Sequence, residues 1–199
     1  MKPLMPHPHR LILASTSPYR RILLERLGIP FETMAPEVDE TPLPLESPEA
    51  LAVRLSILKS QAGALGRTDG LIIGSDQVAS LGKTLIGKPG TPEKALQQLQ
   101  SASGQTLTFY TGLAMTEAAS MDTETALDVT RVTFRTLTQE MILRYLDRET
   151  PYDCAGSFKA EGYGITLMER IESEDPTGLI GLPLIALTRL LNQFGMILP

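Results

Sequence analysis

Three of the hydroxyl-proline steps in the first half of this chain, Ser17-Pro18, Ser47-Pro48 and Thr91-Pro92, each stand before a helical pattern and mark where helices begin. A Ser or Thr side chain caps the open N–H groups of a first turn, and Pro is pre-set for the position after it. Short apolar runs stand between these starts. Leu11-Ile12-Leu13-Ala14 precedes the first and Leu71-Ile72-Ile73 lies between the second and third, each of strand length. A chain that alternates buried strands with capped helices has few choices, and an α/β fold around a mixed sheet is the expected one.

The helical pattern from Pro18 runs through Leu27 and stops at Gly28; Phe31 to Ala35 reads as a second strand. After Ser47-Pro48, the residues Leu51, Leu55, Leu58, Ala62 and Leu65 form the expected apolar stripe, with Lys59 on its edge facing a groove. Gly82 predicts a hairpin toward Leu85-Ile86, and the third helix runs from Pro92 to about Ala102. Residues 105–115 and 126–134 read as long strands, 138–148 as a helix, 155–164 as a Gly-rich loop and 183–194 as a final helix. Residues 1–10 read as a flexible tail and 11–199 as a single domain.

The histidine count excludes much chemistry. His7 and His9 are the only two, both in the Pro-rich tail, which leaves no Ser-His-Asp or Cys-His set and too few ligands for a zinc site. Cys154 is the only cysteine, so no intrachain disulfide forms and a reducing, cytoplasmic setting is expected. No apolar stretch has signal-peptide or membrane-helix length. A net charge of −5 argues against a protein that coats a nucleic-acid polymer, while leaving room for a small anion held by local Lys and Arg. Catalysis would then rest on carboxylates, lysines, arginines, hydroxyls and a hard metal ion.

Ser15-Thr16-Ser17-Pro18-Tyr19-Arg20-Arg21 joins a strand to a helix N-terminus, where free N–H groups and the helix dipole make an anion site and Arg20 adds bidentate contacts. An ordinary N-cap with two solvated arginines fits the same residues. Asp76 lies just past an apolar strand, where ligands gather in open sheets. The acids Glu37, Asp39 and Glu40 and the lysines Lys59 and Lys88 matter only if folding gathers them around it. Gly82-Lys83-Thr84 mimics the end of a P-loop, but Gln77 stands where the motif needs Gly, and a strand follows instead of a helix.

Taken in order, Leu13 to Arg21, Val38-Asp39-Glu40, Gly74 to Gln77, Gly87-Lys88-Pro89, Ser103-Gly104, Ala155 to Gly162 and Gly181 to Leu184 resemble the Maf family of nucleotide pyrophosphatases. The resemblance implies an elongated mixed β-sheet with flanking helices, its two lobes enclosing a central cleft. It implies hydrolysis of a nucleoside triphosphate between the α and β phosphates, supported by Mg²⁺ or Mn²⁺. Asp76 then matches the proton acceptor. Ser15, Ser17, Arg20, Glu40, Lys59 and Lys88 match the phosphate and metal site, with Glu40 and Asp76 as metal carboxylates.

Tyr19, Gln77 and Glu161 stand where the dTTP/UTP branch of the family usually carries Arg, Thr and Gln, and so resemble the 7-methyl-GTP branch. N7-methylated guanine is positively charged; Glu161 offers it an acceptor, and Tyr19, Phe158 and Tyr163 are candidate stacking rings. Core packing competes for those aromatics, for Phe158 above all. A dTTP/UTP-type pyrophosphatase and a non-catalytic nucleotide-binding regulator of cell division are the rival readings. The expected partner is a small nucleotide, with monomer and homodimer both open.

Overall fold

A computed structural model describes residues 10–198. Its elements run β1 (Leu11–Ala14), α1 (Pro18–Glu25), β2 (Phe31–Met34), α2 (Pro48–Ala64), β3 (Leu71–Leu81), β4 (Thr84–Ile86), α3 (Pro92–Ala102), β5 (Thr106–Glu117), β6 (Thr123–Phe134), α4 (Gln139–Glu149), β7 (Met168–Glu172) and α5 (Leu184–Gln193). The three capping residues act as the sequence predicts. Ser17, Ser47 and Thr91 accept from the N–H groups of Arg20, Ala50 and Lys94, each with Pro in the first turn. Of the expected flexible tail, residues 1–9, with His7 and His9, lie outside the described residues. Arg10 forms a bidentate pair with Glu32, both bonds 2.6 Å.

The seven strands form one mixed α/β sheet in the order β2-β1-β3-β5-β6-β7, with β4 also on β3. β1 pairs in parallel with β2 and β3, and the remaining ladders are antiparallel. β5 occupies one edge of β3 along its whole length, Leu71 to Leu81. The other edge is divided: β1 takes Leu71 to Ile73 and β4 takes Ala79 to Leu81. The edge between, residues 74–78, faces neither strand. The sheet therefore forks, and the fork is the origin of the cleft.

Asp76 thus sits mid-strand rather than just past a strand end. The apolar run stops at Ile73, but pairing with β5 carries the strand eight residues further. Separate cores anchor the two lobes. Leu13, Leu23, Ile73, Leu113, Leu187 and their neighbours fill one, joining β1, α1 and α5. Leu99, Phe109, Phe134, Tyr145 and Phe158 fill the other with α3 and α4.

Helix α2 crosses the opposite face of β3 and β5. Its buried residues are Leu51, Ala52, Leu55, Ser56, Lys59, Ser60, Gly63 and Ala64, so the apolar stripe expected from the sequence is rotated. Leu58 and Ala62 are only half-buried and Leu65 is solvent-exposed. Closeness to the sheet decides the face. A methyl on Gly74 would lie 2.2 Å from the Ser56 carbonyl, and one on Gly112 would lie 2.3 Å from that of Ala52. Small residues let two backbones meet here, and the buried hydroxyls are satisfied: Ser60 Oγ donates to Ile57 O at 3.0 Å and lies 2.8 Å from Thr116 Oγ1.

Gly74→Ala and Gly112→Ala should each destabilise the fold by about 1–3 kcal/mol through overpacking. Gly87→Ala, whose added methyl meets nothing within 4 Å, is the matched control. Urea denaturation midpoints check all three; equal midpoints would mean that α2 does not lie this close.

Candidate active site

The fork in the sheet opens into a cleft of about 660 Å³, within the size range of small-molecule sites. The residues matched to the phosphate, metal and specificity positions all line it: Ser15, Ser17, Tyr19 and Arg20 from the β1–α1 turn, and Glu40 from the segment before α2. Lys59 comes from α2, Asp76 and Gln77 from β3, Lys88 from beyond β4 and Glu161 from the Gly-rich loop.

At the floor, the Lys59 ammonium lies 2.6 Å from Asp76 Oδ1 and 2.6 Å from Glu40 Oε1. Lys59 and Asp76 are buried, whereas the Glu40 side chain is 60% exposed. Two carboxylates thus converge on one cation. Among the described residues no group of three His, Cys, Asp or Glu side chains is placed to hold a metal. The Glu40–Asp76 pair alone offers the hard oxygen ligands that Mg²⁺ or Mn²⁺ takes alongside water and phosphate.

The segment that brings Glu40 in, residues 35–47, is tied down from α2. Arg54 grips Glu46 through Nε and a second nitrogen at 2.6 and 2.8 Å, and donates to Thr41 O at 3.1 Å. This grip holds the Glu46 carboxyl down to about 2. Asp39 faces its own turn, accepting from the Thr41 N–H at 2.9 Å, and does not join the site floor. Glu37 is exposed and absent from the cleft lining.

The β1–α1 turn serves both readings that the sequence left open. Ser17 caps the helix, as an ordinary N-cap would. Ser15 Oγ accepts from the Ser17 N–H at 3.1 Å and from the Arg20 guanidinium at 3.4 Å, which sets the hydroxyl and the arginine side by side. Arg20 Nε also donates to Gly181 O at 2.9 Å. Burial pulls the Arg20 guanidinium below its ordinary value while Asp76 and Glu40 oppose that, and it stays charged. Arg21, by contrast, is the solvated arginine, paired with Glu25 one turn on at 3.0 Å. Lys88 is exposed on the cleft rim, with no hydrogen bond or ion pair among the described residues.

Gln77 faces the other side of β3. Its amide nitrogen lies 3.0 Å from Thr111 Oγ1, Gly178 O and Leu179 O, so its donors hold the loop before α5. Ser75 Oγ holds the same loop at Gly181 O, 2.9 Å away. The carbonyl that orients Arg20 is therefore itself positioned by β3.

Two of the candidate stacking rings already have aromatic partners. Phe158 packs edge-on between Phe109 and Phe134 in the core, at 5.5 and 5.3 Å, and touches the cleft only from that packed position. Tyr163 stacks on Tyr145 at 6.4 Å, with Arg148 4.0 Å above its ring, and is absent from the cleft lining. Tyr19 remains in the cleft. Its hydroxyl donates to Asp153 Oδ2 at 3.1 Å, and Cys154 Sγ lies 3.8 Å from it. Sequence reasoning missed Asp153 entirely; it belongs to no motif, and only the fold places it opposite Tyr19. Burial pushes the Tyr19 phenol up, with the Cys154 hydrogen bond second. Burial also works to raise the Asp153 carboxyl, but bonds from Cys154 and Tyr19 and the Lys159 charge outweigh it, and the carboxyl sits low.

With this geometry in view, comparison with known proteins is decisive for ancestry. Residues 10–194 match the family described as Maf-like protein. The chain belongs to the Maf family. Within it, a 7-methyl-GTP pyrophosphatase of Nitrosococcus oceani is 53% identical over 190 residues, 96% of either chain. Enzymes of the same name from Aromatoleum aromaticum and Cupriavidus metallidurans are 51% and 55% identical, covering 96% and 93% of this chain and 98% and 93% of their own. The Maf-like match takes in β1 to α5 and with them every residue of the cleft lining.

Burial pushes the Cys154 thiol up to about 11. Because the thiolate is the nucleophile, alkylation by iodoacetamide at neutral pH should run about a hundredfold slower than for an ordinary cysteine. The rate should keep climbing to about pH 11, followed by mass spectrometry. A plateau near pH 9 would contradict the buried setting.

Proposed function

We propose that this chain hydrolyses 7-methyl-GTP to 7-methyl-GMP and diphosphate. The observation that carries the reaction is the floor of the cleft, where Lys59 bridges Glu40 and Asp76 at 2.6 Å each beside the Arg20–Ser15 pair. The reading of the base rests on the names of the relatives and on Tyr19, Gln77 and Glu161, the residues resembling that branch.

The chemistry follows from charge. A triphosphate repels an incoming nucleophile until its oxygens are neutralised, so the work is mostly positioning and electrostatic stabilisation. Arg20, Lys59 and Lys88 supply cations around the phosphates, and the Ser15 and Ser17 hydroxyls orient them at the start of α1. Asp76 accepts the proton of the water that attacks phosphorus, and diphosphate leaves against the cationic wall. Glu40 and Asp76 would hold Mg²⁺ or Mn²⁺; bound there, the cation neutralises phosphate charge. As substrate arrives, Lys59 exchanges part of its bonding to these carboxylates for phosphate.

No helix among the described residues is long and apolar enough to cross a membrane. The single cysteine supports a cytoplasmic setting. Residues 11–199 then act as one catalytic domain.

Diphosphate release with Mg²⁺ or Mn²⁺ tests the reading across 7-methyl-GTP, GTP, dTTP, UTP and CTP. Fast release from 7-methyl-GTP with GTP far slower is the expected result. A preference for dTTP or UTP would refute the base assignment, and no release at all would favour a binding-only role. Asp76→Asn should lower kcat by about 10²–10⁴-fold without unfolding the chain; a fully active variant would remove Asp76 from the mechanism.

A further inference from the structure

The cleft has two chemically opposite ends. Around the β1–α1 turn and the floor lie hydroxyls and the cations Arg20 and Lys59, the latter facing Glu40 and Asp76, with Lys88 on the rim. The loop behind α4 instead places two carboxylates, Asp153 and Glu161, in the same lining, with the Tyr19 hydroxyl reaching Asp153 from α1. Such polarity suits a ligand that is anionic at one end and cationic at the other, as an N7-methylated purine nucleotide is.

The two acids differ in how they are held. Both are exposed, but Glu161 makes no hydrogen bond among the described residues. Asp153 is fixed through both oxygens: Tyr19 donates to Oδ2 at 3.1 Å, and the Cys154 thiol reaches Oδ1 at 3.4 Å. Tyr19 stands on the helix of the first core, and Asp153 belongs to the loop packed on the second. Their bond therefore spans the cleft. Each carboxylate oxygen keeps a second lone pair after these contacts. A fixed carboxylate can accept two parallel hydrogen bonds, and the N1–H and N2–H₂ edge of guanine offers a matching pair.

We infer that Asp153, oriented by Tyr19 and Cys154, is a specificity-determining residue that takes the edge and offsets the charge of a cationic guanine base. The inference rests on the 7-methyl-GTP reading and adds a recognition group to it. Asp153 discriminates in two ways. Its charge favours the methylated ring over neutral guanine, and its acceptor pair rejects bases that lack adjacent donors, since a site built to hydrogen-bond is left unpaired by them.

The test is steady-state kinetics of the full chain on 7-methyl-GTP and GTP, comparing wild type, Asp153→Asn, Asp153→Glu and Tyr19→Phe, with thermal midpoints for each. Asp153→Asn keeps the shape and removes the charge. Its kcat/KM for 7-methyl-GTP should fall about tenfold more than that for GTP, chiefly through KM, with the pH profile of kcat unmoved. Asp153→Glu should recover part of the preference, and Tyr19→Phe should lose a smaller part in the same direction. An undiminished preference in Asp153→Asn, or an equal loss on both substrates, overturns the inference. Should Asp153→Asn fail to fold, an unchanged preference in both Asp153→Glu and Tyr19→Phe overturns it as well. The wild-type arm keeps the two ideas apart: a wild type without preference for 7-methyl-GTP removes the functional reading and this inference together, whereas a selective wild type with a selective Asp153→Asn removes only the inference.

Discussion

Lys59 reaches Asp76 only because the backbone of α2 rests against β3 and β5 with no side chain between them. Gly74 and Gly112 leave that space, and Gly112 stands directly across the ladder from Asp76. Anything larger would lift the helix and draw the ammonium away from its carboxylates. The ion pair at the floor of the cleft is thus a product of backbone packing as much as of the two charged side chains. Burying charge is costly unless it is paired, and here one cation satisfies two acids at 2.6 Å. The arrangement is stable at rest and yet open to exchange, because Glu40 on the far side remains largely in solvent.

Around this floor the two faces of β3 divide the labour. The face toward α2 carries Asp76 and its charges. The face toward α5 carries Ser75 and Gln77, whose side chains hold the carbonyls of Gly178, Leu179 and Gly181. Gly181 O in turn fixes Arg20 Nε. One strand therefore sets both the carboxylate at the floor and, through a loop, the guanidinium beside it. Substitution at Gln77 would reach Arg20 through this loop, in addition to any effect Gln77 has from its own place in the cleft lining.

Local signals were legible in the sequence wherever the physics was local. Ser17, Ser47 and Thr91 cap the helices they were expected to cap, and the Gly82 hairpin and the paired long strands lie within a few residues of their expected bounds. Non-local packing was not legible. β3 continues past Ile73 because β5 pairs with it, which no periodicity in 74–81 announces. The buried face of α2 contains Ser56, Lys59 and Ser60, so the apolar pattern points to the wrong side. β7, with its alternating charges at a sheet edge, carries too little apolar signal to read as a strand. The cleft lining followed from ordered motifs that resemble a family, whereas Asp153 carries no motif and became visible only when folding set it opposite Tyr19.

The fork on the open edge of β3 has a mechanical consequence. β3 and β5 are hydrogen-bonded through both lobes, from Leu71↔Glu117 to Leu81↔Leu107, and β6 continues alongside β5 for nearly the same distance. To swing one lobe against the other would bend two long ladders at once. The enzyme is built like a tuning fork, stiff at the stem, with its compliance confined to what hangs on the tines. Adjustment to an arriving nucleotide then falls to loops hung on the tines, such as the one carrying Asp153. The geometry at phosphorus can stay constant while that loop evolves toward different bases.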